Sequence, residues 1–107
     1  MATTTKPQID ATNASRLDKT RPVLVLTREL VRPHLTRVTV APITSTIRGL
    51  STEVAVGPAN GLDDTSVVSC DNIVTVPASA LGRQLGFLLD GQEPELTAAI
   101  HAAFDLF

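Results

Sequence analysis

The chain contains neither tryptophan nor tyrosine, and only three phenylalanines among its 107 residues. That excludes aromatic cages for methylated ligands and leaves little material for the stacking platforms on which many single-strand binders lay bases. With one cysteine, Cys70, no internal disulfide can form, which suits the cytoplasm. No apolar stretch approaches the roughly 18 residues of a membrane helix, so no membrane partner is expected. The opening "MATTTKPQID" has no hydrophobic segment of the kind that marks a signal peptide. The two histidines, His34 and His101, do not cluster with Cys70, and no zinc site is expected. Nor do the six glycines form a phosphate-cradling loop, so the reading carries no metal and no cofactor.

What is there is aliphatic. The apolar fraction of 43% is mostly Val, Leu, Ile and Ala, enough for one domain with a real core. The net charge of −2 hides an asymmetry: residues 1–48 carry eight Lys or Arg against three acids, while residues 49–107 carry Arg83 against eight acids. Such a split suggests a basic face for an anionic partner, although two solvated faces of opposite sign would give the same count.

Along the chain, residues 1–16 are polar, with Ile9 the only large aliphatic after Met1, and read as a tail or a weak edge strand. "PVLVLT" from Pro22 is a continuous β-type run, the pattern of a strand buried on both faces. "RELVRPHL" contains Pro33 and reads as a connecting loop. "TRVTVAPIT" alternates, with Val38 and Val40 on one side, and its strand is expected to end near Pro42. Further strands are expected at "TEVAVG", on both sides of a break at Asp71-Asn72, and at "LGRQLGFLL", where Gly82 and Gly86 mark bends or close packing. Between them, "GPANGLDD" is a loop, with Asp63-Asp64 as turn residues. Finally, "EPELTAAIHAAFDLF" is a helix with Pro94 in its first turn and Leu96, Ile100, Ala103, Phe104 and Phe107 on one face. The expected fold is mainly β, a small barrel with a C-terminal helix laid against it.

Two stretches carry candidate chemistry. In "KTRPVLVLT", Arg21 precedes Pro22 at the mouth of a buried strand, and the proline biases it toward extended backbone. In "VAPITSTIRG", the apolar part gives way to Thr44, Ser45, Thr46 and Arg48. A guanidinium with hydroxyls makes a phosphate site, though a polar loop with an incidental arginine would read the same. Cys70 follows an apolar strand and reads as a packed residue rather than a nucleophile.

Together, "RPVLVLTREL", "VTVAPITSTIRG", "SVVSCDNIVTV" and "LGRQLGFL" resemble the MazF/PemK family of toxin endoribonucleases over residues 17–107, and in particular its actinobacterial members. The resemblance implies an SH3-like barrel of the MazF/PemK/CcdB type, usually a homodimer. It also implies a type II toxin that makes sequence-selective, metal-independent cuts in single-stranded RNA and is blocked by a MazE-like antitoxin. The family's catalytic arginine and threonine fall on Arg21 and Thr44. By position, Arg28, Ser45, Thr46, Arg48, Asp71 and Asn72 resemble residues lining the RNA groove, and Lys19 could add a phosphate contact. Each reads equally as a solvated loop residue, with Asp71 and Asn72 favoured because an Asp-Asn pair between two strands offers base edges both acceptors and donors. In this picture the RNA 2′-OH attacks the adjacent phosphate, giving 2′,3′-cyclic phosphate and 5′-OH ends, and Arg21 and Thr44 stabilise the charge that builds up. The chain departs from the family at "QIDATNASRLDKT", which lacks the aromatic first strand and the Gly-Ser-Glu-Gln loop. A weak or absent first strand and a shortened loop over the substrate are therefore expected. Two other classes remain in view: an inactive antitoxin-binding module of the same fold, and a CcdB-type gyrase poison, whose terminal tryptophan motif is missing here.

Overall fold

The computed structural model describes residues 7–12, 21–27 and 34–105. Seven strands run through them: β1 (Gln8–Thr12), β2 (Arg21–Val25), β3 (Arg37–Thr44), β4 (Glu53–Val56), β5 (Ser66–Ser69), β6 (Val74–Pro77) and β7 (Leu81–Phe87). One helix, α1 (Glu93–Phe104), follows. All recorded pairings are antiparallel. They form one sheet in the order β4-β5-β3-β2-β1-β7, with β6 also on β3.

The hub is β3. It pairs with β2 through Val40–Pro42, with β6 through Arg37–Val40, and with β5 through Ile43 and Thr44. The sequence reading ends this strand near Pro42, but the strand continues two residues further. Pro42 falls where one edge of β3 changes partner, β6 ending at Val40 and β5 beginning at Ile43, and there the missing N–H is tolerated.

Alternation in β2 and β3 feeds two cores. Val23, Val25, Val38, Val40 and Val76 pack on one face, while Leu24, Ala41 and Ile43 join Ile9, Val54, Val56, Val68, Leu88 and Leu96 on the other. β2 is thus buried on both faces, as its unbroken apolar run requires. Each fully buried aliphatic contributes about 1.5–3 kcal/mol relative to exposure.

The polar N-terminal stretch behaves differently from its composition. Gln8–Thr12 is no tail or sheet edge; it lies between β2 and β7, with Ile9 completely buried. Its buried polar side chains are partnered: Gln8 donates to the Asp10 carboxylate (2.7 Å), and Thr12 donates to the Ala80 carbonyl (2.9 Å). Backbone pairing on both sides supplies what the side chains do not.

The sheet ends β4 and β7 form no ladder with each other among the described residues. The turn after β4 comes against β7, where a Cβ on Gly61 would strike the Leu85 carbonyl and one on Gly86 the Asn60 carbonyl. Asn60, buried, accepts from the Gly57 N–H (3.0 Å) and donates to the Phe87 carbonyl (2.9 Å) and to Gln92 (2.6 Å). Gln92 in turn donates to the Ala55 carbonyl (3.1 Å) just before α1. This network closes the curled sheet and seats the helix.

α1 packs on β4 and the 70–72 turn through Leu96 and Ala99, with Ile100 and Ala103 half-buried. Phe104, expected on that face, is instead 55% exposed at the outer edge of the last turn, where Asp105 takes a left-handed conformation.

Candidate active site

The ladder between β2 and β3 pairs Val23 with Pro42, Leu24 with Ala41 and Val25 with Val40. Extending that register by two residues sets Arg21 opposite Thr44, the first residue of one strand against the last of the other. Both line one cleft of about 420 Å³, floored by Ala11, Pro22, Ile43, Leu62 and Leu85. The arginine-before-proline and the hydroxyl after the apolar run, far apart in sequence, are therefore brought to one place.

Thr44 is oriented by its own chain. Its hydroxyl oxygen accepts the Thr46 backbone N–H at 3.1 Å, a local hydrogen bond typical of Ser and Thr at strand ends. With that bond accepted, the hydroxyl hydrogen is free to point at a ligand. Ser45 joins the lining. Thr46 and Arg48 are exposed in the following loop, outside the cleft.

That loop is tied by Glu53, whose carboxylate accepts the backbone N–H groups of Arg48 (3.2 Å), Gly49 (2.8 Å) and Leu50 (3.1 Å). The Asp71-Asn72 pair also lies away from the cleft lining. Asp71 accepts the Thr52 hydroxyl at 2.5 Å, and Asn72 donates to the Ser69 hydroxyl at 2.9 Å. Lys19 and Arg28 lie outside the described residues. Neither His34 nor His101 lines the cleft.

Four polar residues that the sequence pattern does not single out as ligand contacts complete the wall: Asp63, Asp64, Ser66 and Arg83. Ser66 donates to the Asp64 carbonyl at 3.0 Å and so fixes the turn that presents the two carboxylates. Arg83 arrives through a bulge. Thr12 pairs with Leu81 and Asp10 with Gln84, so Gly82 and Arg83 together face the single residue Ala11. A bulge of this kind re-aims a side chain. Among the described residues, neither the Arg21 nor the Arg83 guanidinium has a hydrogen-bond or ion-pair partner. The cleft thus offers two cations with no partner among the described residues and an oriented hydroxyl, donors suited to phosphodiester groups. Its carboxylates can accept from base amino groups.

Cys70 is buried outside this cleft, and burial, with the Asp71 charge second, pushes its thiol pKa up. It is a packed residue of the larger core. Among the described residues no group of three or more His, Cys, Asp or Glu is assembled to hold a metal ion.

Comparison with known proteins gives the family. The family model described as PemK-like, MazF-like toxin of type II toxin–antitoxin system matches residues 7–104. That range takes in β1, which lies ahead of residue 17, where the motif resemblance begins. The chain is 66% identical over 92 residues to endoribonuclease MazF3 of Mycobacterium tuberculosis, covering 86% of this chain and 89% of the relative. Among solved structures, the Mycobacterium tuberculosis toxin MazF-mt6 superposes with a TM-score of 0.86 at 62% identity, over 94% of this chain and 98% of that one. An endoribonuclease from a mycobacterial species, solved with its cognate antitoxin, superposes with a TM-score of 0.83 at 25% identity, over 98% of both chains. The chain belongs to the PemK-like, MazF-like toxins of type II toxin–antitoxin systems.

Proposed function

We propose that this toxin is a sequence-selective endoribonuclease that cuts single-stranded RNA in the cleft without a metal ion and thereby arrests translation and growth. The observation that carries the reading is the register that sets Arg21 opposite Thr44 across one polar cleft. The RNA supplies the nucleophile. Its 2′-oxygen forms a bond to the adjacent phosphorus while the bond from phosphorus to the 5′-oxygen breaks. The 2′-hydroxyl proton is lost and the departing 5′-oxygen gains one, leaving a 2′,3′-cyclic phosphate and a 5′-OH. Negative charge builds on the non-bridging oxygens, and Arg21 with the Thr44 hydroxyl stabilises it there. Guanidinium groups stay protonated in proteins, so Arg21 acts by charge and hydrogen bonding rather than as a base. DNA lacks the 2′-OH and is not a substrate.

A homodimer in the cytoplasm, held in check by a MazE-like antitoxin, completes the proposal. An acidic antitoxin segment would compete with RNA for the same cleft guanidinium groups, so Arg21→Glu weakens both ligands. Ser45 in the lining and Thr46 and Arg48 in the loop that follows are proposed RNA contacts, as are Lys19 and Arg28, which lie outside the described residues. Asp71 and Asn72, favoured in the sequence, move behind these because Thr52 and Ser69 engage their side chains.

The deciding experiment incubates the purified protein with a long single-stranded RNA in EDTA, beside matched DNA, and maps the new 5′ ends. Discrete cuts in RNA alone, lost in Arg21→Ala and Thr44→Ala, are expected. Intact RNA with a folded protein would overturn the reading and favour a non-catalytic antitoxin-binding module.

A further inference from the structure

Arg83 stands between two hollows. One is the cleft around Arg21 and Thr44. The other, of about 470 Å³, is walled by Ala11 and Thr12 of β1 and by the 79–82 segment, and Ala11 and Arg83 belong to both. The second hollow falls within the size range of small-ligand sites. Its walls are small: Ala11, Ala80 and Gly82, where even an added Cβ would only reach van der Waals contact with the Ala11 carbonyl at 3.5 Å.

The spacing of the two arginines suits a chain of anions. Arg21 pairs with Thr12 on one side of β1, and Arg83 sits in the bulge facing Ala11 on the other. Their backbones are two interstrand steps apart, about 10 Å, a gap that two long side chains can narrow to bracket successive phosphates. A solitary phosphate bound by Arg21 and Thr44 would leave the Arg83 guanidinium without an anion.

We infer that Arg83 binds the phosphate next to the scissile one and that the second hollow receives the nucleotide attached to it. This rests on the ribonuclease reading for the identity of the ligand. It goes beyond that reading by giving the site a second nucleotide-binding position, on the β7 side of β1. Arg83 is then a substrate-binding residue whose contribution is to affinity and register, while the reacting phosphate is left to Arg21 and Thr44.

The test has two arms. In the first, RNAs carrying a mapped cut site are shortened to the nucleotides flanking the cut or extended by one nucleotide on either side, and kcat and KM are measured. The wild type gains affinity from one of the extensions, and Arg83→Gln loses that gain. A charge-assisted phosphate contact corresponds to about ten- to a hundredfold in KM, with the smaller change in kcat. In the second arm, binding of a mixed-sequence 2′-O-methylated RNA pool, which cannot be cut, is titrated against salt. Arg83→Gln reduces the slope of log affinity against log salt by about 0.7, one single-strand phosphate contact, and Arg83→Lys restores it. A loss confined to kcat, or an unchanged salt slope with RNA bound, overturns the inference. Absence of any cutting by the wild type counts against the ribonuclease reading alone, since the binding arm still decides Arg83.

Discussion

Two sets of polar residues lie close together along this chain and are used in opposite ways. Around the 45–53 and 69–72 loops, Glu53, Thr52, Asp71, Asn72 and Ser69 are bonded to one another or to backbone. In the cleft, Arg21 and Arg83 have no hydrogen-bond or ion-pair partner among the described residues, and Thr44 accepts one short local bond that leaves its hydrogen available. The first set spends its hydrogen bonds on shape, and the second keeps them for a ligand. Polarity in the sequence marks both; only the partners tell them apart.

Substitutions should separate the two sets. The largest effect is expected from Arg21→Ala and Thr44→Ala, each lowering the RNA cleavage rate by about 10²–10³-fold with an unchanged melting temperature. A variant that melts early would put that residue in the structural set and break the contrast. Next comes Asn60→Ala, which leaves the buried Gly57 N–H and Phe87 carbonyl without their partner and should cost about 1–3 kcal/mol in denaturant unfolding.

Glu53→Gln sharpens the contrast from the other side. It keeps the shape but removes the charge that three backbone N–H groups share, so a loss of about 1 kcal/mol is expected. Cleavage per folded molecule should change little. The smallest effect concerns Cys70. Its raised pKa means the unfolded thiol ionises first as pH climbs. The associated stability is therefore present below about pH 8.5, the free-thiol value, and is lost as pH rises above it. Cys70→Ala should flatten that alkaline decline, whatever it does to stability at neutral pH.

The strands from Pro22 onward were legible because their side chains follow the pleat: Leu24 and Val23 serve opposite cores, and Val38 and Val40 share one. β1 was not, because its place is set by neighbours. Only Ile9 and Ala11 bring apolar surface, and the rest of its stability comes from ladders on both sides and from partnered Asp10 and Thr12. Arg21 and Thr44 were visible through the family resemblance, and the β2–β3 register now explains why two residues so far apart meet. Arg83 was hidden because a bulge changes which way a side chain points, and periodicity cannot register an extra residue. Gly82 and Gly86 on either side of it were the available signal. Asp71 and Asn72 have the donors and acceptors of an RNA contact, yet composition could not reveal that Thr52 and Ser69 each already engage one of them.

The closure at Gly61 and Gly86 has a consequence for how such a cleft can diversify. Those glycines, with Asn60 behind them, decide where the cleft wall stands, because any side chain there would force the backbones apart. Beyond the core residue Leu62, Asp63 and Asp64 decide what the wall presents. Scaffold and message are thus written in adjacent but separate letters, and a new surface can be composed at 63–64 without reopening the barrel.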